Sequence, residues 1–112
     1  MQRFVLTLQL RPDPSLVAEY VARHREVWPA VLDSLRDSGI LRSEIFLHGF
    51  QLIMVLDTTD DFTLEHKAVM DQANPIVMRW EQEMAKFQAV DNAGNDASKR
   101  WIVLENVFRF AA

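Results

Sequence analysis

The sequence contains no cysteine, and that single absence removes disulfides, thiolate metal sites and cysteine nucleophiles together. It fits a reducing compartment. Glycine is nearly as scarce, at three residues. The chain therefore carries no Gly-x-Gly-x-x-Gly, no phosphate-cradling loop and no Gly-x-Ser-x-Gly elbow, which argues against nucleotide cofactors and serine-hydrolase chemistry. Basic residues are in the minority, with Lys and Arg numbering 12 against 16 Asp and Glu for a formal charge of -4. That balance repels a polyanion and leaves no basic run to track a phosphate backbone, so nucleic acid is not expected as a partner. No hydrophobic run approaches the roughly 20 residues of a membrane span, and Met1 to Leu10 alternates polar and apolar residues where a signal peptide would run apolar. A cytoplasmic location without a membrane partner is expected. His24, His48 and His66 stand at no zinc-ligand spacing, so neither a metal nor an organic cofactor is expected.

What the chain does have is 112 residues, 49% hydrophobic and 25% charged, enough for one globular domain over 1–112 and not for two. Folding at this length removes only about 60–70% of the unfolded surface from water. Association with a second copy is therefore an expectation.

From Arg3 to Arg11, Phe4, Leu6, Leu8 and Leu10 fall on one face, with Val5 the only apolar residue opposite; this is the period of a half-buried strand. Pro12 to Ser15 break it, and Asp13 or Ser15 offers an N-cap to a helix in which apolar residues recur at three- and four-residue steps from Val17 to Leu35, ended by Gly39. Pro29 lies inside that stretch, which predicts a break between Glu26 and Pro29. Ser43 to Leu47 and Phe50 to Asp57 are rich in strand formers and predict a hairpin across His48-Gly49. Thr58 to Asp61 offer caps for a helix over about Phe62 to Ala73, and Asn74-Pro75 starts another to about Gln88. Asp91 to Lys99 is polar and turn-prone, and Trp101 to Phe110 returns to strand formers.

The order strand, helix, strand, strand, helix, strand is that of an α+β, ferredoxin-like split βαβ domain, with an antiparallel four-stranded sheet and helices on one face. In the last strand Ile102, Leu104, Phe108 and Phe110 alternate with Trp101, Val103 and Val107, so both faces are apolar. Helices can cover only one of them. The other predicts a homodimer, two sheets face to face in a dimeric α+β barrel.

Tyr20, His24 and Trp28, spaced four apart on the apolar side, place a phenol, an imidazole and an indole in one column. They are either core aromatics around a hydrogen-bonded histidine or the wall of a pocket whose imidazole can move a proton near neutrality. Trp80 and Glu81 on the late helix are either a core anchor and a solvated carboxylate or groups that reach a ligand held against the sheet. His48 is read as a hairpin-tip residue, His66 as surface, and Trp101 as a packing or dimer contact.

The run from Glu19 to Pro29, Glu-Tyr-Val-Ala-Arg-His-Arg-Glu-Val-Trp-Pro, followed by a hairpin, by Arg79-Trp80 and by a closing strand that includes Val107-Phe108, resembles the L-rhamnose mutarotase family of cofactor-free sugar epimerases. The resemblance covers nearly the whole chain. It implies a dimeric α+β barrel that interconverts the α and β anomers of a deoxyhexose, with His24, Tyr20 and Trp80 in the sugar site. Such a reaction removes the anomeric hydroxyl proton, protonates the ring oxygen and recloses the ring on the other face. It needs positioned proton-transfer groups and no redox centre. His24 and Tyr20 would carry the catalysis, and Trp80 and Trp28 would stack on the sugar's C–H face and 6-methyl group. Rhamnose-type members carry a second tryptophan where Glu81 stands here. A carboxylate accepts hydrogen bonds that an indole cannot, so the resemblance leans toward L-fucose, in keeping with Asp37 to Ile40, over L-rhamnose. A dimeric-barrel cofactor-free monooxygenase and a non-catalytic small-ligand domain are the alternatives from other classes.

Overall fold

The structure is a computed structural model and describes residues 1–89 and 100–112. The elements run β1 (Gln2–Gln9), α1 (Pro14–Arg23), α2 (Pro29–Asp37), β2 (Ile40–His48), β3 (Gln51–Thr58), α3 (Leu64–Gln72), α4 (Pro75–Ala85) and β4 (Ile102–Val103). The sheet order is β2-β3-β1-β4 with every neighbour antiparallel. This is the expected α+β, ferredoxin-like arrangement. The polar stretch Asp91 to Lys99, read as a turn, lies outside the described residues.

Register fixes which side chains face the helices. Leu6 lies opposite Met54 and Leu8 opposite Leu52, while Ile45 faces Met54 from the other side. Opposed residues share a face, so β1 presents Leu6 and Leu8 inward, and Leu10, just past its end, continues the same row; all three are buried. One core cluster joins Leu8, Leu10 and Leu52 to Tyr20, Val31, Trp80, Met84 and Phe87. A second gathers Leu6, Ile40, Leu56 and Phe62 beneath the chain that enters α3.

The first helix is cut in two, as the proline demands. Asp13 Oδ1 accepts from the Ser15 and Leu16 backbone N–H groups at 2.9 and 3.4 Å, a cap worth about 1 kcal/mol. The helix stops at Arg23 because Pro29 has no N–H for the Arg25 carbonyl, and its preceding residue, Trp28, is held extended at φ -59, ψ 133. Pro29 then occupies the first turn of α2, where a missing N–H costs nothing.

Several boundaries differ from expectation: α1 ends at Arg23, ahead of the expected break, and β2 begins at Ile40 and not at Ser43. The hairpin turns on Gly49-Phe50, since His48 still pairs with Gln51, and Gly49 takes the positive φ of 61. The cap of α3 is Thr63, whose hydroxyl accepts from His66 N–H at 3.1 Å; Thr59 and Asp61 bond each other instead. The last strand is two residues long and not ten. Pairing with β1 ends when Leu104 N–H donates to the Val5 carbonyl at 2.8 Å. Asn106 Oδ1 then accepts from Phe108 N–H, an Asx turn that competes with the ladder. Val107, Phe108 and Phe110 are left 86%, 80% and 78% exposed.

Candidate functional site

Between the inner sheet face and the helices lies a cavity of about 440 Å³, into which His24, Tyr20, Trp80, Glu81, Lys67 and Asp71 all project, with Gln88 and Ser43 on its border. That volume suits a small organic ligand. Most of the wall is aliphatic, including Val31, Leu35, Ile45 and Met54, so the few polar groups decide orientation and chemistry.

His24 is the C-cap of α1. Its Nδ1 lies 2.9 Å from the Tyr20 carbonyl oxygen. A carbonyl can only accept, so Nδ1 carries the hydrogen and, in the neutral ring, Nε2 carries the lone pair. Burial pulls the His24 pKa below the ordinary 6.5, while the carbonyl bond opposes the shift. The imidazole therefore sits neutral at pH 7 as a base. Burial, reinforced by the Glu81 charge, pushes the Tyr20 phenol well above its usual 10. Tyr20 thus keeps its proton at neutral pH and has an O–H available to donate.

The three aromatic residues of the sequence column do not share one helical face, because the chain leaves the helix after Arg23. Tyr20 and His24 stack with centroids 4.3 Å apart. Trp80, from α4, then meets His24 edge-on at 5.5 Å and Trp28 at 5.2 Å. Trp80 faces the cavity, whereas Trp28 stands behind it and buttresses the indole.

Glu81 is turned inward. Arg100, whose side chain is 2% exposed, donates from Nη2 to Glu81 Oε2 at 2.8 Å and to its backbone carbonyl at 3.4 Å. Burial raises the Glu81 pKa, and Arg100 and then Lys67 hold the rise in check.

Sequence reasoning did not single out Lys67, Asp71, Arg100 or Gln88. Lys67 and Asp71 form an i,i+4 ion pair on α3, and that spacing was the available signal. Arg100 follows the polar stretch and Gln88 stands at the expected end of the late helix, so neither stood out. Gln88 is buried, and among the described residues its Oε1 has no hydrogen-bond partner. Trp101 packs against both core clusters and also borders the cavity. His48, at the end of β2, and His66, on α3, are exposed and outside it. Among the described residues, no cluster of three or more His, Cys, Asp or Glu could hold a metal ion. Nor is any helix long and apolar enough to cross a membrane.

Comparison with known proteins gives this cavity its context. The family whose profile matches the chain, over residues 3–110, is described as L-rhamnose mutarotase. An L-fucose mutarotase of Xanthomonas campestris pv. campestris is 36% identical over 110 residues, covering 96% of this chain and 87% of the relative. An L-rhamnose mutarotase of Acidiphilium cryptum is 34% identical over 110 residues, with 96% and 97% covered. In three dimensions the chain matches the crystal structure of an L-rhamnose mutarotase from Formosa agariphila with a TM-score of 0.73 at 23% identity, covering 99% of this chain and 100% of that one; at that identity the likeness speaks for the fold.

Proposed function

The chain belongs to the L-rhamnose mutarotase family, a family of sugar-anomer isomerases, and from that premise we propose that it interconverts the α and β anomers of a 6-deoxy-L-hexose, L-fucose in preference to L-rhamnose, with His24 as the proton-transfer group. The observation that carries the reading is the bond from His24 Nδ1 to the Tyr20 carbonyl, which leaves a neutral base, Nε2, in a cavity of hexose scale.

In this reaction His24 Nε2 takes the proton from the anomeric hydroxyl O1 as the C1–O5 bond breaks and C1=O1 forms. The ring oxygen O5 receives a proton. O1 and O5 share one carbon, so a single imidazole can take the first proton and return it to the second oxygen, and after rotation about C1–C2 the reverse sequence closes the other anomer. Tyr20 O–H, held protonated, donates to a sugar oxygen and orients it. Trp80, stiffened by Trp28, faces the C–H side and the 6-methyl group.

The choice of sugar rests on Glu81. Relatives named for fucose and for rhamnose are 36% and 34% identical to the chain, so percent identity alone does not separate them. Glu81 stands where the rhamnose-type pattern has a second tryptophan, and it faces the cavity as an acceptor.

The active form in this reading is a homodimer in the cytoplasm. On the sheet face away from the helices, Val55 stands between Val5 and Glu44, and Ile53 between Thr7 and Phe46. Phe46, Ile102 and Leu104 are exposed, with Val107, Phe108 and Phe110 beyond. Contiguous apolar faces beyond about 300–600 Å² are unusual on monomers, and a second copy of the same sheet supplies a matching cover.

Saturation-transfer NMR tests the reaction directly. The protein should accelerate anomer exchange of L-fucose most, L-rhamnose less and D-hexoses least. Exchange of every sugar at its uncatalysed rate would overturn the proposal.

A further inference from the structure

We propose that the Lys67–Asp71 ion pair of α3 is a hydroxyl-reading element of the sugar site, acting beside Glu81 to set which hydroxyl pattern the cavity accepts. This deepens the mutarotase reading and rests on it.

The inward face of α3 mixes charged with apolar residues. Leu64, Lys67, Ala68 and Asp71 line the cavity, and their spacing of three, one and three residues is that of one helical face. A helix that served only to cover the sheet would bury its β-branched residue and leave its charges in water. Here Val69 is 66% exposed, whereas the Lys67 and Asp71 side chains retain only 21% and 14% exposure. The order of the pair, lysine before aspartate, is also the weaker one for supporting a helix. Helix formation therefore does not account for turning these two charges inward.

Their chemistry fits a polyol. Asp71 Oδ2 is engaged by Lys67 Nζ, and among the described residues Oδ1 has no hydrogen bond, so it can accept from a hydroxyl. The Lys67 ammonium has two further N–H donors for a hydroxyl or ring oxygen. On α4, Glu81 repeats the arrangement, with Oε2 held by Arg100 and Oε1 open among the described residues. Lys67 and Asp71 both act electrostatically on Glu81, in opposite senses, which places the two pairs within one field. Opposite signs keep the assembly neutral overall, so it suits a neutral ligand rich in hydroxyl donors and not a sugar phosphate. The aliphatic remainder of the wall suits the methyl corner of a deoxy sugar. A polar site of this kind discriminates strongly, because a misplaced hydroxyl leaves buried groups unpaired.

The experiment compares wild type, Asp71→Asn, Lys67→Gln and the exposed-face control Glu65→Gln by NMR anomer exchange with L-fucose, L-rhamnose and the monodeoxy L-fucoses, each variant first checked for folding by circular dichroism. Asp71→Asn and Lys67→Gln should raise KM for the preferred sugar about tenfold, change kcat much less, and shift the ratio between the two sugars. Glu65→Gln should match wild type. The penalty in Asp71→Asn should vanish on the one monodeoxy sugar that lacks the hydroxyl it reads, which a purely structural role would not produce. Should one variant fail to fold, the other carries the same test. Folded variants that keep KM and rank every sugar as wild type does overturn this inference alone. A wild-type protein that exchanges none of the sugars overturns the mutarotase reading and this one with it.

Discussion

The Tyr20 carbonyl oxygen accepts two hydrogen bonds from the residue one turn later, from His24 N–H at 3.3 Å and from the ring Nδ1–H at 2.9 Å. The end of a helix thus sets the tautomer of the imidazole. The backbone bond is the last rung of the α1 ladder, and His24 N–H shares itself with the Val21 carbonyl at 3.2 Å. As the C-cap of α1, His24 turns its ring back onto the preceding turn.

His24→Gln should fold and lose about 10²–10⁴ in exchange rate, the range typical for removal of one acid–base group. In wild type the exchange rate should stay level as pH falls through 6.5 and drop only below it, because the His24 pKa lies under that value. The same shift has a sign for stability. Below 6.5 the unfolded chain binds a proton that the folded imidazole resists, so stability declines as pH falls toward the folded pKa. Urea midpoints measured from pH 7 to 5 should fall less steeply in His24→Gln than in wild type.

Tyr20→Phe separates orientation from chemistry. The phenol keeps its proton, so its loss should raise KM about five- to tenfold with kcat nearly intact, the size of one hydrogen bond. A large fall in kcat at unchanged KM would make Tyr20 a proton donor in the chemical step.

The residues that set this geometry differ in how visible they are in the sequence. Pro29, the Asn74-Pro75 cap and the alternation of Leu6, Leu8 and Leu10 act through local backbone physics, which sequence spacing reports directly, and the element order followed from them. Trp28 has the spacing of Tyr20 and His24, but α1 ends at Arg23, before the break expected between Glu26 and Pro29, and this earlier end removes Trp28 from their face and lets Trp80 stand between. Lys67 and Asp71 carried no apolar period, and their inward turn depends on how α3 lies against the cavity. The length of the last strand was overestimated because strand formers report tolerance for extended backbone and not the presence of a neighbour to pair with. Past Leu104 the described chain offers none.

The proposed homodimer makes a prediction about that same segment. Sedimentation should show a dimer at micromolar concentration, and Ile102→Glu or Val107→Asp should shift it toward monomer. Val103 is the informative contrast. It borders the cavity and not the outer sheet face, so Val103→Asp should impair exchange more than assembly. A wild-type monomer at micromolar concentration would count decisively against the dimer.

The last prediction concerns Glu81, and it is sharper for the direction in which the side chain points. Glu81 follows Trp80 directly, and neighbours in a helix diverge by about 100°, yet both reach the same cavity because α4 lies across it and Arg100 draws the carboxylate inward. Fucose and rhamnose differ in the orientation of ring hydroxyls, and each buried polar group left unpaired costs about 1–3 kcal/mol, where about 1.4 kcal/mol is already a tenfold preference. Glu81→Trp removes the acceptor and should cut L-fucose exchange at least tenfold more than L-rhamnose exchange. It also takes a carboxylate partner from the buried Arg100, so some loss of stability is expected alongside. Glu81→Gln keeps a carbonyl acceptor near Arg100 and serves as the control: it should lose less stability than Glu81→Trp while still shifting the sugar ratio. If both variants leave the fucose-to-rhamnose ratio unchanged, the carboxylate serves to hold Arg100 and the fucose assignment falls.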